Sequence, residues 1–371
     1  MRRTRVLLAT AALAAARMAP AEPMFLAHQY TRCTTCHYSE TGGGLLTPYG
    51  RSLSRQDLST TGRGDPEHPQ GHEEAFLWGA PGKALGPIDA GIDIRPSYLR
   101  VAFAGTSTDR DLLMNADALA AYHGHGWTVY GELGRMIRPE GAKLGAYEYW
   151  VAHESASGLG VRLGRFFPAY GLRLADHTAF TRAGLGFDKY DQVLGAEVTH
   201  TSEHRLLQVS LSPGPADAVF RDDGRRAFTA TGRFQADLGP RTALVVSGLF
   251  RAASALEARS GAGGVAFGFA PTSRLSIWTQ ADARVRAGAS GASYTLLNET
   301  SIEMYRGLWL KLSPQLRTDF GTTSPRSLRM VIEADLLPRT HWNLDASWYW
   351  DHDRVTDLTS RTLLAQLHLY L

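Results

Sequence analysis

The chain has 371 residues, 44% of them hydrophobic and 20% charged. That is ample apolar surface to bury, which excludes a disordered polymer, and a net charge of +3 makes no electrostatic case for a nucleic-acid partner. With 38 Gly, 14 Tyr and 8 Trp against two Cys, the composition points to an all-β protein.

The N-terminus reads as an export signal. Arg2, Arg3 and Arg5 form a positive region, Val6 to Ala16 is a short apolar run, and Ala19-Pro20-Ala21 offers small residues for cleavage. This is the layout of a secretory signal peptide over residues 1–21, with the mature chain starting near Glu22. Beyond it, no stretch has the roughly 20 apolar residues that a membrane helix requires.

Both cysteines fall in Cys33-Thr34-Thr35-Cys36-His37. This spacing is that of a c-type haem attachment site. Two thiols bond one porphyrin, and the adjacent imidazole reaches the iron from one face. A thioredoxin-like pair would need a βαβ context, and a zinc site would need further Cys; neither is present. One covalent haem c is therefore expected on Cys33, Cys36 and His37, with His37 binding the iron. Met24, His28, His68 and His72 are the candidates for the second axial position. Gly42-Gly43-Gly44 can let backbone approach a flat cofactor. Residues 22–87, the haem segment, number only about 66, too few to build a sufficient core alone.

From Ile88 to Leu371 the chain alternates polar and apolar residues in segments of about ten, the pattern of a transmembrane antiparallel barrel. In Leu275 to Ala287, the odd positions face out and Ser276, Trp278, Gln280, Asp282, Arg284 and Arg286 face in. Leu328 to Leu336 and Ala365 to Leu371 repeat the pattern, the latter with Gln366, His368 and Tyr370 inward. Arg233, Asp237, Arg329, Glu333 and Asp335 share that inward phase. Counting such segments predicts about 16 strands, an even number as single-chain bacterial barrels have. They begin near Gly91, Leu112, Trp127, Ala146, Leu159, Gln192, Arg205, Ala227, Thr242, Ala262, Arg274, Ser293, Leu308, Leu328, Trp342 and Arg361. Even-numbered connections are tight. Several odd ones are longer: Pro213 to Arg225, Ala255 to Ser260 and Asp351 to Ser360. Short turns mark the periplasmic side and long loops the outside. Trp309, Trp348 and Trp350 are expected in the aromatic girdles. The longest connection, Phe167 to Asp191, reads equally as a lumen constriction or a surface loop. Asp176, His177, Asp222, Asp223, Asp351, His352 and Asp353 recur in outer connections, where carboxylate and imidazole could attract Fe(II), although solvated loop charge is the simpler reading.

A signal peptide, Pro23-x-Phe25, Tyr30, Cys33-x-x-Cys36-His37 and then a barrel, in that order, resembles the fused monohaem cytochrome–porins of the bacterial outer membrane, whose best-known members are iron oxidases. As motif the resemblance covers residues 23–50, and as architecture the whole chain. It implies an outer-membrane electron-transfer protein whose haem takes electrons from an extracellular donor, Fe(II) among the choices, and passes them to a periplasmic c-type cytochrome or other carrier. The chain matches no iron-site motif of that family residue by residue. A hydrocarbon core of about 30 Å is too thick for one hop from a haem lying wholly on the periplasmic side, so the haem segment is expected within the lumen. The competing reading is a solute porin carrying a periplasmic haem sensor or docking module.

Overall fold

The computed structural model of the chain describes residues 22–61, 87–138, 141–187, 191–213, 227–253 and 259–370. Sixteen antiparallel strands pair each with the next in sequence, and β1 (Ile88–Phe103) closes on β16 (Leu358–Tyr370), so no edge is left open. The remaining strands run from β2 (Thr106–Gly124) through β3 (Trp127–Arg138), β4 (Gly141–Glu154), β5 (Leu159–Phe166), β6 (Val193–Thr201), β7 (Arg205–Ser212), β8 (Ala227–Gly239) and β9 (Thr242–Ala253). The wall is completed by β10 (Ser260–Thr272), β11 (Leu275–Arg286), β12 (Ala292–Tyr305), β13 (Leu308–Thr318), β14 (Pro325–Arg339) and β15 (Trp342–Asp353).

Period-two alternation decides which side chains meet lipid. On β7, Leu207, Val209 and Leu211 are exposed while Leu206, Gln208 and Ser210 are buried. On β11, Ser276, Trp278, Gln280 and Asp282 are buried, as their phase predicts. Such an exposed apolar band is the lipid-facing belt of a membrane barrel. Inside, Arg162 and Glu197 pair at 2.6 Å with no exposure at all, and Arg162 also lies 4.2 Å over the Phe166 ring.

The even-numbered connections, such as 125–126, 240–241 and 306–307, are short, which sets that end of the barrel to the periplasm. The outer connections depart from expectation in two places. Residues 104–105 form a turn as tight as the inner ones, because β1 and β2 themselves run on for 16 and 19 residues, well past the 9–11 that span a bilayer. The last outer connection shrinks to 354–357, since β15 and β16 extend into it. The expected loops at Pro213 to Arg225 and Ala255 to Ser260 lie largely outside the described residues, as do the signal peptide and Asp222 and Asp223.

Trp309 corrects the girdle expectation. It is fully buried and faces the lumen, because Leu310 and Leu312 hold the outward phase of β13. Trp348 does face outward, and Trp350 stacks on His352 at 5.6 Å.

The lumen is filled from both ends. Residues 22–61 form an inner plug of one 3-10 turn (Pro23–His28), a second (Cys33–Thr35) and a short helix α1 (Pro48–Leu53) that runs on as a π turn (Ser54–Leu58). Thr47 caps α1 by accepting from Gly50 N at 3.1 Å, with Pro48 in the first turn. Residues 167–187 of the long connection fold inward above the plug. Its backbone bonds to wall side chains: Gly171 N to Ser247, Leu172 N to Gln280 and Phe180 N to Gln315. One buried apolar cluster joins plug, loop and wall through Met24, Leu26, Cys36, Leu172, Leu174, Trp278 and Trp309.

Candidate functional site

Wall side chains hold the plug on nearly every side. Trp278 Nε1 donates to Pro23 O at 3.0 Å, Arg241 to Ala27 O at 3.0 Å and Gln235 to Thr31 O at 2.6 Å. Arg32 reaches out to Asp237 at 2.8 Å and to the carbonyls of Ser202 and Glu203 at 2.7 and 2.9 Å. Across the barrel, Ser39 donates to Glu148 and Arg51 to Asp89, Tyr38 donates to Asp89, and Ser54 bonds Tyr370. Thr60 N closes the ring on Leu337 O at 2.9 Å. Of the inward charges foreseen from alternation, Asp237 holds the plug directly and Asp335 joins Glu22 and Glu333 around Lys311. Arg233, Asp282, Arg284 and Arg329 hold the folded loop instead.

The Cys33–Thr35 turn brings Cys33, Cys36 and His37 together. Cys36 N and His37 N both donate to Cys33 O, at 3.2 and 3.1 Å. Thr47 locks the turn from behind, its N bonding Cys36 O at 2.8 Å and its Oγ1 bonding Thr35 O at 2.9 Å. A bridge between His37 and Leu46 makes residues 37–46 a small hairpin with Gly42, Gly43 and Gly44 at its tip. All three glycines have positive φ (81°, 78° and 65°), where a side chain is strained. A Cβ on Gly42 would stand 3.2 Å from Cys33 Sγ, and one on Gly44 would strike the Tyr130 hydroxyl. Gly50 is required for a different reason: its Cβ would strike Cys36 O.

Both thiols are unpaired; Cys36 is buried and Cys33 half-buried. Burial pushes the Cys36 thiol up to about 12. It also raises the Cys33 thiol, against the pull of Arg233 and Arg173. Burial holds the His37 imidazole down at about 4, so the ring is neutral at pH 7, the form that binds iron. Its Nδ1 is buried with no hydrogen-bond partner. Two unpaired thiols on one turn beside a neutral imidazole with an orphaned nitrogen form a donor set that fits haem c.

Beyond the glycine tip lies a cavity of about 540 Å³, lined by Gly42 to Gly44, Tyr130, Glu132, Arg173, Arg329, His368 and others. Cys33, Cys36 and His37 are separated from it by the tip. Arg173, from the inward loop, stands 3.4 Å from the Cβ position of Gly43 and 4.1 Å over the Phe167 ring.

The candidates for a second axial ligand part company. Met24 is buried in the same apolar cluster as Cys36. His28 bonds Glu303 at 3.0 Å and packs 5.7 Å from Trp309, so its nitrogen is engaged by a carboxylate. His68 and His72 lie outside the described residues. Sequence reasoning put His368 on the inward face without giving it a role. It lies on β16 within 3.3 Å of Asp93 and lines the cavity. Arg173 and Tyr130 were missed, because only the folded loop and the phase of β3 bring them to the plug. The described outer carboxylates are taken up by arginines. Asp351 pairs with Arg329 at 2.6 Å, Asp176 lies 3.9 Å from the same guanidinium, and Asp353 pairs with Arg326. Among the described residues, no group of three or more His, Cys, Asp or Glu could hold a metal ion.

No family model matches the sequence, and no curated protein matches it. Solved structures do match the fold. OprB of Pseudomonas putida aligns at TM-score 0.63 and 9% identity, over 86% of this chain and all of that one. OmpF of Salmonella typhi aligns at TM-score 0.60 and 8% identity, over 76% of this chain and 97% of that one. The anion-selective porin of Comamonas acidovorans aligns at TM-score 0.54 and 13% identity, over 76% and 99%. The chain therefore has the fold of the 16-stranded outer-membrane porins, and it resides in the outer membrane in contact with lipid.

Proposed function

We propose that this chain is an outer-membrane electron-transfer protein of the fused cytochrome–porin kind, with one haem c carried by the plug inside its barrel. The observation that carries the reading is the placement of Cys33-x-x-Cys36-His37 within the lumen, on a segment clamped to the wall by hydrogen bonds from both sides. Cys33 and Cys36 would form the two thioether bonds, and His37 would fill one axial position. Arg173 and Arg233 would place positive charge beside the thioether at Cys33. The bound haem supplies a one-electron couple. The chain's own work is to hold that couple part-way through the membrane, so that a donor outside and a carrier in the periplasm each come within reach. The folded loop and the plug narrow the lumen to a cavity of about 540 Å³ that both line. Fe(II) is one donor small enough to enter it.

The test is direct. Purified protein made with haem-attachment machinery is assayed for covalent haem in alkaline pyridine, and reduction of the folded protein by Fe(II) is followed separately at the haem bands. Absence of covalent haem would overturn the reading. Haem that Fe(II) leaves oxidised would remove this donor alone.

The second reading, a solute porin whose haem segment senses redox state, is favoured by the fold it shares with porins and channels. Planar-bilayer recording separates the two. A steady open channel in the full chain supports the porin, and a channel that opens only when residues 23–80 are deleted supports the plugged conductor.

A further inference from the structure

Three successive periplasmic turns each carry one arginine and no acidic residue, Pro240-Arg241, Ser273-Arg274 and Arg306-Gly307, and Arg339 ends β14 at the fourth, Thr340-His341. They occupy one half of the barrel mouth, from β8 to β15. The next turn round, between β6 and β7, breaks the pattern by placing Glu203 beside Arg205. The nearest carboxylates of the adjoining strands are already engaged, Asp237 by Arg32 and Glu303 by His28. Among the described residues, none of the four arginines of this arc is paired with a carboxylate.

The arc borders the plug itself. Arg241 bonds Ala27 O and Arg306 bonds Ser59 O, at 3.0 and 3.1 Å, while Thr60 N bonds Leu337 O beside Arg339. Those two guanidiniums thus turn toward the mouth and away from the lipid. Arg274 and Arg339 are exposed.

We propose that this arginine arc is the docking surface for an acidic one-electron carrier protein of the periplasm. The inference rests on the electron-transfer reading above and adds the partner's charge and its place. The carrier takes one electron and is reduced as the haem iron goes from ferrous to ferric; no proton or bond is exchanged. Complementary charge raises the encounter rate and orients the partner over the plug, and salt screens both effects.

The test follows oxidation of the ferrous full-length protein in nanodiscs by two small oxidants, anionic ferricyanide and cationic tris(phenanthroline)cobalt(III). Arg274→Gln/Arg339→Gln leaves the plug contacts intact. It is expected to slow ferricyanide about tenfold at low salt, to leave the cobalt complex as fast or faster, and to lose its effect at high salt. Polyglutamate, a large acidic probe, should block ferricyanide in the wild type and fail to do so in the variant. Rates that do not depend on oxidant charge, or a variant equal to wild type at low salt, would overturn the proposal. So would a variant effect that follows the phosphatidylglycerol content of the nanodisc, which would assign the arc to lipid headgroups. A wild type that takes up no haem, and so shows no oxidation with either reagent, would instead sink the electron-transfer reading.

Discussion

Arg32→Met tests whether the plug is held by its polar anchors. The Arg32 side chain is 2% exposed and makes four hydrogen bonds, two to Asp237 and two to carbonyls of the turn between β6 and β7. Removing one partner of a buried ion pair costs about 3–5 kcal/mol, mostly for the charge left behind. Asp237 is 12% exposed and keeps the bond from Gln235 Nε2 at 2.9 Å, so the low end, about 3 kcal/mol, applies. At 1.4 kcal/mol per factor of ten, plug opening should become roughly a hundredfold more frequent. Single-channel recording reads this as new opening events in a barrel that still migrates as a folded species when unheated. Arg32→Met combined with Asp237→Leu should restore most of the closed time, because an apolar pair can replace an ionic one at little cost. If Arg32→Met opens nothing, or the double variant is as open as the single, the anchoring argument fails.

Cys36→Ala should leave haem on one thioether only, read as a shifted pyridine haemochrome band; an unshifted band with normal haem staining would show that Cys36 is not used. Gly50→Val drives a side chain into Cys36 O and should loosen the plug by more than about 1 kcal/mol, detected as faster proteolysis within residues 22–61 while the barrel stays intact. Gln280→Leu removes the acceptor of Leu172 N and should cost about 1–3 kcal/mol locally, giving conductance noise from a freed inward loop. In haem-free protein, a Cys36 thiol raised to about 12 by burial is almost wholly protonated at pH 8. Its alkylation by iodoacetamide should therefore be slow there and rise about tenfold per pH unit toward pH 10; fast alkylation at pH 8 in a closed plug would contradict the burial.

The wall was legible because lipid and lumen impose opposite demands on alternate residues. Strand starts at Trp127, Leu159, Arg205, Thr242, Leu308 and Trp342 coincide with the structure. The early start of β2 was missed because Thr106 to Asp111 is polar at every position, and a strand that stands outside the bilayer has no reason to alternate. Trp309 was misplaced by trusting residue type over phase; Leu308, Leu310 and Leu312 already implied that it points inward. The Cys33 to His37 string could be singled out because its residues are contiguous, and the structure sets them on one turn. Its surroundings could not. Trp278 meets Pro23 across 255 residues and Tyr130 meets Leu45 across 85, and no periodicity records such meetings.

The way the plug is held leaves its attachment chemistry free. The described plug has 40 residues, too few to stabilise themselves, and its apolar side chains join a cluster completed by Trp278, Leu297 and Trp309 of the wall. Several of its polar contacts run from wall side chains to plug backbone, since Trp278, Gln235 and Arg241 all donate to carbonyls. A carbonyl is present whatever residue carries it, so these contacts demand particular residues of the barrel and almost none of the plug. Substitutions at Trp278, Gln235 or Arg241 should thus disturb the plug more than substitutions at Pro23, Ala27 or Thr31 that preserve the backbone path. It follows that no thiol or imidazole of the attachment turn is needed as an anchor. Cys36 and His37 are positioned by backbone bonds to Thr47, Leu46 and Cys33 O, and neither cysteine is tied up in a disulfide.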